Sequence, residues 1–423
     1  KEEENMAPES GLTKFYKLSL NERRQVLKEK AGLTEEEMKV LGAGLDLATA
    51  ERMIENVVGM TQVPIGIATN FRINGRDYLV PMAIEEPSVV AAASHAAKLA
   101  LPTGGFKATS SRPVMRGQMQ VLDVKDLEEA KRRVLEVKEE LIGRANRFAD
   151  MLPSLGGGVL DITAKVVGPP RDGMLIVEFF VDCKDAMGAN TIITIVEGMA
   201  PEIEGITGGR SLLKIISNLA TERTAKATVT YRSDVIGGER VVDGIAKAYK
   251  FAVYDPYRAA THNKGIMNGI TAITLATAND TRAVEAGAHA YASMSGKYLP
   301  LSSWRKDEKG DLVGELELPL ALGTFGGATR THPVAQLCLK ILGVKTATEL
   351  AEVACAVGLA QNFAALRAMV TEGIKRGHME LHARNIAIMA GATGDLVDKV
   401  AEILAKEGNV KVSRAKEILQ SLK

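Results

Sequence analysis

The sequence predicts an α+β chain: a large, mostly helical domain, a small strand-rich domain inserted within it, and a helical C-terminal segment. Three observations predict this. The 423 residues exceed what one simple core organises, so two or three domains are expected. Between about 110 and 220 the pattern runs strand, helix, strand, strand, helix, strand, the order of a ferredoxin-like unit. After Gly373 and Gly377 only helical patterns remain, separated by Gly391 and Gly408. The boundaries expected are 1–109 with 221–374 for the large domain, 110–220 for the small one and 375–423 for a C-terminal flap.

In chain order, Ser19-Leu20-Asn21-Glu22 and Thr34-Glu35-Glu36-Glu37 are capping boxes that open two helices. A third helix is expected over Leu47 to Val58. Asn74-Gly75 between two apolar runs signals a hairpin. Glu85-Glu86-Pro87-Ser88 leads into an alanine-rich helix from Val89 to Ala100. The acids suit that helix's dipole. Apolar Met82-Ala83-Ile84 and Val89-Val90 flank them, so partial desolvation of a carboxylate is also expected. The small domain then supplies a strand over Val114 to Leu122, a charged helix over Leu127 to Met151, and strands over Leu160 to Val167 and Met174 to Val181. A helix over Asp185 to Met199 and a strand over Ser211 to Ile216 complete it. Strands at Ala225 to Tyr231 and Gly314 to Leu322 bracket a helix over Val242 to Phe251. Leu350 to Val370 is the longest apolar segment. Its Glu352, Gln361, Asn362 and Arg367 mark a buried soluble helix rather than a membrane span.

Composition narrows the function classes. A net charge of +1 draws the chain to neither nucleic acid nor an anionic membrane, and 4% aromatics leave little for base stacking. Cys183, Cys338 and Cys355 are odd in number and far apart, which excludes a disulfide framework and fits a reducing cytoplasm. Lys1-Glu2-Glu3-Glu4 is unlike a signal peptide, and Met6 is a candidate start.

The densest chemistry lies in Pro256-Tyr257-Arg258-Ala259-Ala260-Thr261-His262-Asn263-Lys264-Gly265-Ile266-Met267-Asn268-Gly269. Cations, a histidine and amides crowd there, and Gly265 and Gly269 let a backbone or a ligand approach. Lys264 reads as a cation meant for an oxygen; the plainer reading is a turn with a solvated lysine. Asp185-Ala186-Met187-Gly188-Ala189-Asn190 follows a strand and opens a helix, where backbone N–H groups can hold a pyrophosphate. The plainer reading is an N-capping Asp185 beside a packing glycine. No GxGxxG or P-loop occurs. His378 and His382 have the spacing of two zinc ligands on a helix, but no third ligand accompanies them, and no metal is expected.

Glu85 to Ser88, Asp185 to Asn190, Ser217-Asn218-Leu219-Ala220, Asp255 to Gly269, Gly287-Ala288-His289-Ala290, Gly358 to Asn362 and Gly377-His378-Met379 occur together and in order. With them the chain resembles the 3-hydroxy-3-methylglutaryl-coenzyme A (HMG-CoA) reductases, of the shorter soluble kind found in bacteria and archaea. The resemblance runs from about Leu18 to the C-terminus. It implies that two hydrides from NADH or NADPH reduce HMG-CoA to mevalonate and coenzyme A, or that the reverse reaction runs. It implies catalytic roles for Glu86, Lys264, Asp280 and His378. Substrate contacts are implied for Ser88, Arg258, Asn268, Asn218 and Gln361, and dinucleotide contacts for Asp185, Ala186, Met187, Gly188, Ala189 and Asn190. It further implies a cytoplasmic homodimer with its active sites at the subunit interface. Ala149 stands where NADH-preferring members carry an acid, so use of both dinucleotides is expected. An aldehyde dehydrogenase would need a cysteine nucleophile, and no cysteine lies in these motifs. A non-catalytic CoA- or nucleotide-binding protein would not need all four catalytic types.

Overall fold

A computed structural model of the chain describes residues 15–371, 373 and 379–422. The fold is α+β, with two sheets. The strands are β1 (Ile65–Ile73), β2 (Arg76–Ala83), β3 (Phe106–Ser110), β4 (Val114–Leu122), β5 (Gly158–Val167), β6 (Met174–Asp182), β7 (Arg210–Ile216), β8 (Thr224–Tyr231), β9 (Ser302–Lys306) and β10 (Leu312–Pro319). The larger sheet has the order β2-β1-β3-β8-β10-β9, and the smaller β5-β6-β4-β7.

Local chemistry accounts for the ends of the elements. Both capping boxes form, Ser19 with Glu22 and Thr34 with Glu37. Asn74 and Gly75 turn between β1 and β2 with φ of 51° and 81°, as a tight hairpin needs. The helix expected over 47–58 stops at Glu51. Beyond it Asn56 is left-handed, a conformation that ends helical pairing.

The small sheet pairs antiparallel throughout, with β4 and β6 central, as a ferredoxin-like order requires. Helices Leu127–Glu136, Lys138–Ala145, Ala189–Gly198 and Ala200–Thr207 lie between its strands in sequence. The single helix expected over 127–151 is thus divided at Val137 and closes in a 3-10 turn at Asn146–Phe148. Met115, Met119, Phe179, Ile192 and Ile195 fill the core between helices and sheet.

In the larger unit, the helix Ala347–Val370 is apolar on every side and correspondingly buried, packing on β8, β3 and β10. It is long enough to cross a membrane, yet Val353 through Phe363 are all buried inside the protein. Helix Pro256–Ala276 crosses it closely. A Cβ on Gly269 would lie 3.1 Å from the Val357 carbonyl, and one on Gly358 2.8 Å from the Ile270 side chain. The stretch whose plainer reading was a turn is therefore the first two-thirds of a 21-residue helix, opened by Asp255 as N-cap and Pro256 in the first turn. Helices Met379–Met389, Asp395–Glu407 and Val412–Ser421 close a separate core around Ala383, Val400, Leu404 and Ile418.

Candidate active site

One cleft of about 1990 Å³ runs between the start of helix Val89–Ala100 and the exposed face of helix Pro256–Ala276. Glu86, Ser88, Arg258, Lys264, Asn268 and Gln361 all line it. Lys264 Nζ donates to Glu86 Oε2 at 2.6 Å. The side chains are 58% and 38% exposed, so the pair adds little to stability. Of the two acids, Glu86 is partly buried, in line with the partial desolvation expected of a carboxylate there, and Glu85 is exposed. Gly265 also faces the cleft, with nothing within 4 Å of where its Cβ would stand.

The neighbouring groups lack partners. Arg258 is half-buried, and burial lowers its pKa. Among the described residues its guanidinium has no carboxylate; its recorded side-chain contact is Met369 Sδ at 4.0 Å. Such a cation fits an anionic ligand group. Ser88 is the N-cap of its helix but sits at φ 72°, left-handed, and does not cap. Among the described residues its Oγ, Gln361 Oε1 and His262 Nδ1 are buried without a hydrogen-bond partner. Native proteins seldom leave such atoms unsatisfied, and here three residues that line one cleft carry them.

Beneath Lys264 lies a network to which the sequence analysis assigned no role. Trp304 Nε1 donates to Asn362 Oδ1 at 2.7 Å, and an indole N–H can only donate, so that atom is the amide oxygen. Ser302 Oγ reaches the same oxygen at 2.7 Å and must give it its single proton. His262 Nε2, 2.7 Å from Ser302 Oγ, is therefore the donor of that pair. This leaves Nδ1 a bare acceptor. Burial and the nearby Arg258 push the His262 pKa down to about 3, consistent with the neutral ring. His262 stands in the quoted run, but its meaning depends on Ser302 and Trp304, which come from a distant strand.

Not all the implied residues meet here. Asp280 is the N-cap of helix Thr281–Ala292, accepting from Arg282 N and Ala283 N at 3.0 Å each. It does not line the cleft. Lys264 and Ala276, at the end of the same helix, are twelve residues apart, which is about 18 Å along its axis. Asn218 lies beside Asp280's helix: a Cβ on Gly287 would sit 2.6 Å from its carbonyl oxygen. His378 lies outside the described residues.

At the Asp185–Asn190 turn, helix Ala189–Gly198 begins at Gly188 (φ 104°) with no side-chain cap. Its first N–H groups fit an anionic pyrophosphate. A Cβ on Gly188 would stand 2.2 Å from Cys183 Sγ, so the position demands glycine. Asp185 does not cap this helix; its Oδ1 accepts from Ala347 N at 2.8 Å instead. Ala149 is wholly buried in the small core, whereas Asp150 next to it is exposed. An acid at 149 would enter that core, which removes the basis for reading dinucleotide preference from Ala149.

The pattern of the family described as hydroxymethylglutaryl-coenzyme A reductase matches residues 19–383. The 3-hydroxy-3-methylglutaryl-coenzyme A reductase of Archaeoglobus fulgidus is 57% identical over 418 residues, 99% of this chain and 96% of that one. The class II enzyme of Streptococcus pneumoniae, solved bound to NADPH in open conformations, is 39% identical with a TM-score of 0.81. That match covers 96% of this chain and all of that one. A second structure from Streptococcus pneumoniae, 38% identical with a TM-score of 0.83, covers 97% of this chain and again all of the other. With this coverage and identity, on a fold of the same order, the chain belongs to the hydroxymethylglutaryl-coenzyme A reductase family.

Proposed function

We propose that this oxidoreductase reduces HMG-CoA to mevalonate and free coenzyme A at the Glu86–Lys264 pair, and that a second copy of the chain completes the site with Asp280. The observation that carries the reading is the 2.6 Å Lys264–Glu86 contact, in a cleft whose other polar atoms await a ligand. Each reduction puts negative charge on a former carbonyl oxygen. Lys264 stabilises that charge and Glu86 supplies the proton. Arg258 meets the substrate carboxylate, with Ser88, Asn268 and Gln361 beside it. A nicotinamide held at Asp185–Asn190 supplies the hydride. NADPH is a fitting donor because the Streptococcus pneumoniae enzyme binds it, and the reading includes NADH as well. After the first reduction the hemithioacetal expels coenzyme A, and His378 protonates the departing thiolate to the thiol.

The shared site explains why Asp280 and Asn218 stand away from the cleft. The exposed face of helix Pro256–Ala276 carries Tyr257, Thr261, Lys264 and Leu275, spaced to form one stripe. Tyr254 and Phe251 extend the exposed apolar surface just before it. A two-fold partner laying the same face antiparallel would bring the far end of its helix, with Asp280, toward Lys264. The three cysteines are buried and unpaired, which suits a reducing cytoplasm.

The test is stoichiometry. Nicotinamide absorbance is followed with limiting HMG-CoA, once with NADPH and once with NADH. Two reduced nicotinamides consumed per HMG-CoA supports the reading. None consumed with either would mean a binding protein, and one consumed would mean that the aldehyde is the product.

A further inference from the structure

We infer that Asn279 and Gly323 are positioning residues, forming a clasp that holds the dinucleotide turn and Asp280 in one register. The inference rests on the roles proposed for Asp185–Asn190 and Asp280. Asn279 precedes Asp280 and spends its whole amide on this contact. Its Oδ1 accepts from Gly323 N at 2.7 Å, and its Nδ2 donates to Gly323 O at 3.0 Å and to Thr277 Oγ1 at 2.9 Å. The next two residues face the other way. Thr324 N and Phe325 N both donate to Asp185 O, at 2.9 and 3.2 Å, and Ala186 bridges Phe325 as a short parallel pair.

The contact is tight as well as bonded. A Cβ on Gly323 would lie 2.8 Å from Met187 N and 3.1 Å from Asp185 O. Arg223, 4% exposed, locks the same junction. It donates through Nη1 to Ala186 O at 3.1 Å and Met187 O at 3.0 Å, and through Nη2 to Leu322 O. Leu322–Phe325 is thus a peptide wedge, with the dinucleotide turn on one side and the Asp280 segment on the other. A reaction that consumes two dinucleotides must release one and accept another while the intermediate waits. A turn and a carboxylate sharing one rigid wedge return to the same relative position each time. Loosening the wedge at Asn279 is therefore expected to be felt at the dinucleotide.

The experiment compares Asn279→Ala, Asn279→Asp and Gly323→Ala with the unsubstituted protein. It reads the NADPH dissociation constant by nicotinamide fluorescence without HMG-CoA, kcat and both KM values, and Tm. Asn279→Ala, which removes both bonds to Gly323 and the one to Thr277, is expected to weaken NADPH about 5–30-fold, within the usual range of coupling between sites. It should also lower kcat at saturating NADPH, with KM for HMG-CoA changing less. Asn279→Asp keeps the acceptor and loses the donor, so it should fall between. Gly323→Ala drives a methyl at Met187 N and should weaken NADPH too. An unchanged NADPH dissociation constant in Asn279→Ala, even with a lowered Tm, overturns the clasp and leaves a merely structural contact. Should Asn279→Ala fail to fold, an unchanged constant in the other two variants overturns it. Failure of the unsubstituted protein to consume either NADPH or NADH with HMG-CoA would instead sink the functional reading beneath it.

Discussion

In the proposed reaction Lys264 is the cation placed where charge develops, and its Nζ donates to Glu86 Oε2 at 2.6 Å. Removing such a donor from a reacting oxyanion costs about 3–4 kcal/mol of transition-state stabilisation or more. Lys264→Ala should therefore lower kcat by two to three orders of magnitude, roughly, with a smaller change in KM for HMG-CoA because Arg258 and Ser88 remain. Near-normal turnover would remove Lys264 from the chemistry. His262 gives a different signature. Its folded pKa of about 3 lies below the ordinary histidine value near 6.5, so as pH falls the unfolded chain takes up that proton first. The stability from its buried neutral ring is full above about pH 6.5 and is lost as pH falls toward 3. His262→Gln should accordingly flatten the fall of Tm across that window, though it lowers Tm near neutrality by breaking the Ser302 link. Parallel Tm curves for the two proteins would show that His262 takes up its proton without cost.

Among the elements, helix Pro256–Ala276 shows what could and could not be read beforehand. Its residue types pointed to a site, and Gly265 and Gly269 to close approach. Both glycines serve that purpose on different faces: Gly265 opens to the cleft, and Gly269 admits the long helix. That the run is helical was harder to see. Two glycines, a proline, two asparagines and three threonines carry poor helix propensity, and burial against Ala347–Val370 overrides it. The strands of the small sheet were legible because their alternation is local. The Trp304–Asn362–Ser302–His262 network was not, since it forms only when three separate elements pack. Gly265→Ala should leave Tm within about 1 °C to 2 °C, while Gly269→Val should cost about 1–3 kcal/mol of stability by parting the helices. Equal Tm losses would contradict the crossing. The C-terminal segment carries its own test. If His378 protonates the departing thiolate, His378→Gln should slow HMG-CoA reduction by ~10²–10⁴-fold. Added mevaldehyde, which has no thiol to release, should still be reduced at close to the unsubstituted rate. Equal losses on both substrates would take the leaving-group role from His378.

At the scale of the whole molecule, the arrangement divides. Glu86, Arg258 and Lys264 meet in one cleft, while Asp280, Asn218 and the Asp185–Asn190 turn lie away from it. About 18 Å of helix between Lys264 and Ala276 keeps Asp280 from closing on its own chain's lysine. The proposed site therefore needs two chains. Co-expressing Lys264→Ala and Asp280→Ala subunits under two different tags, and purifying the doubly tagged species, tests this directly. Each substitution alone should leave a nearly inactive protein. The mixed dimer, with one site holding an intact Lys264 and the partner's intact Asp280, should recover about half of the unsubstituted activity. Mixed dimers no more active than the two separate variants would contradict a site shared between subunits.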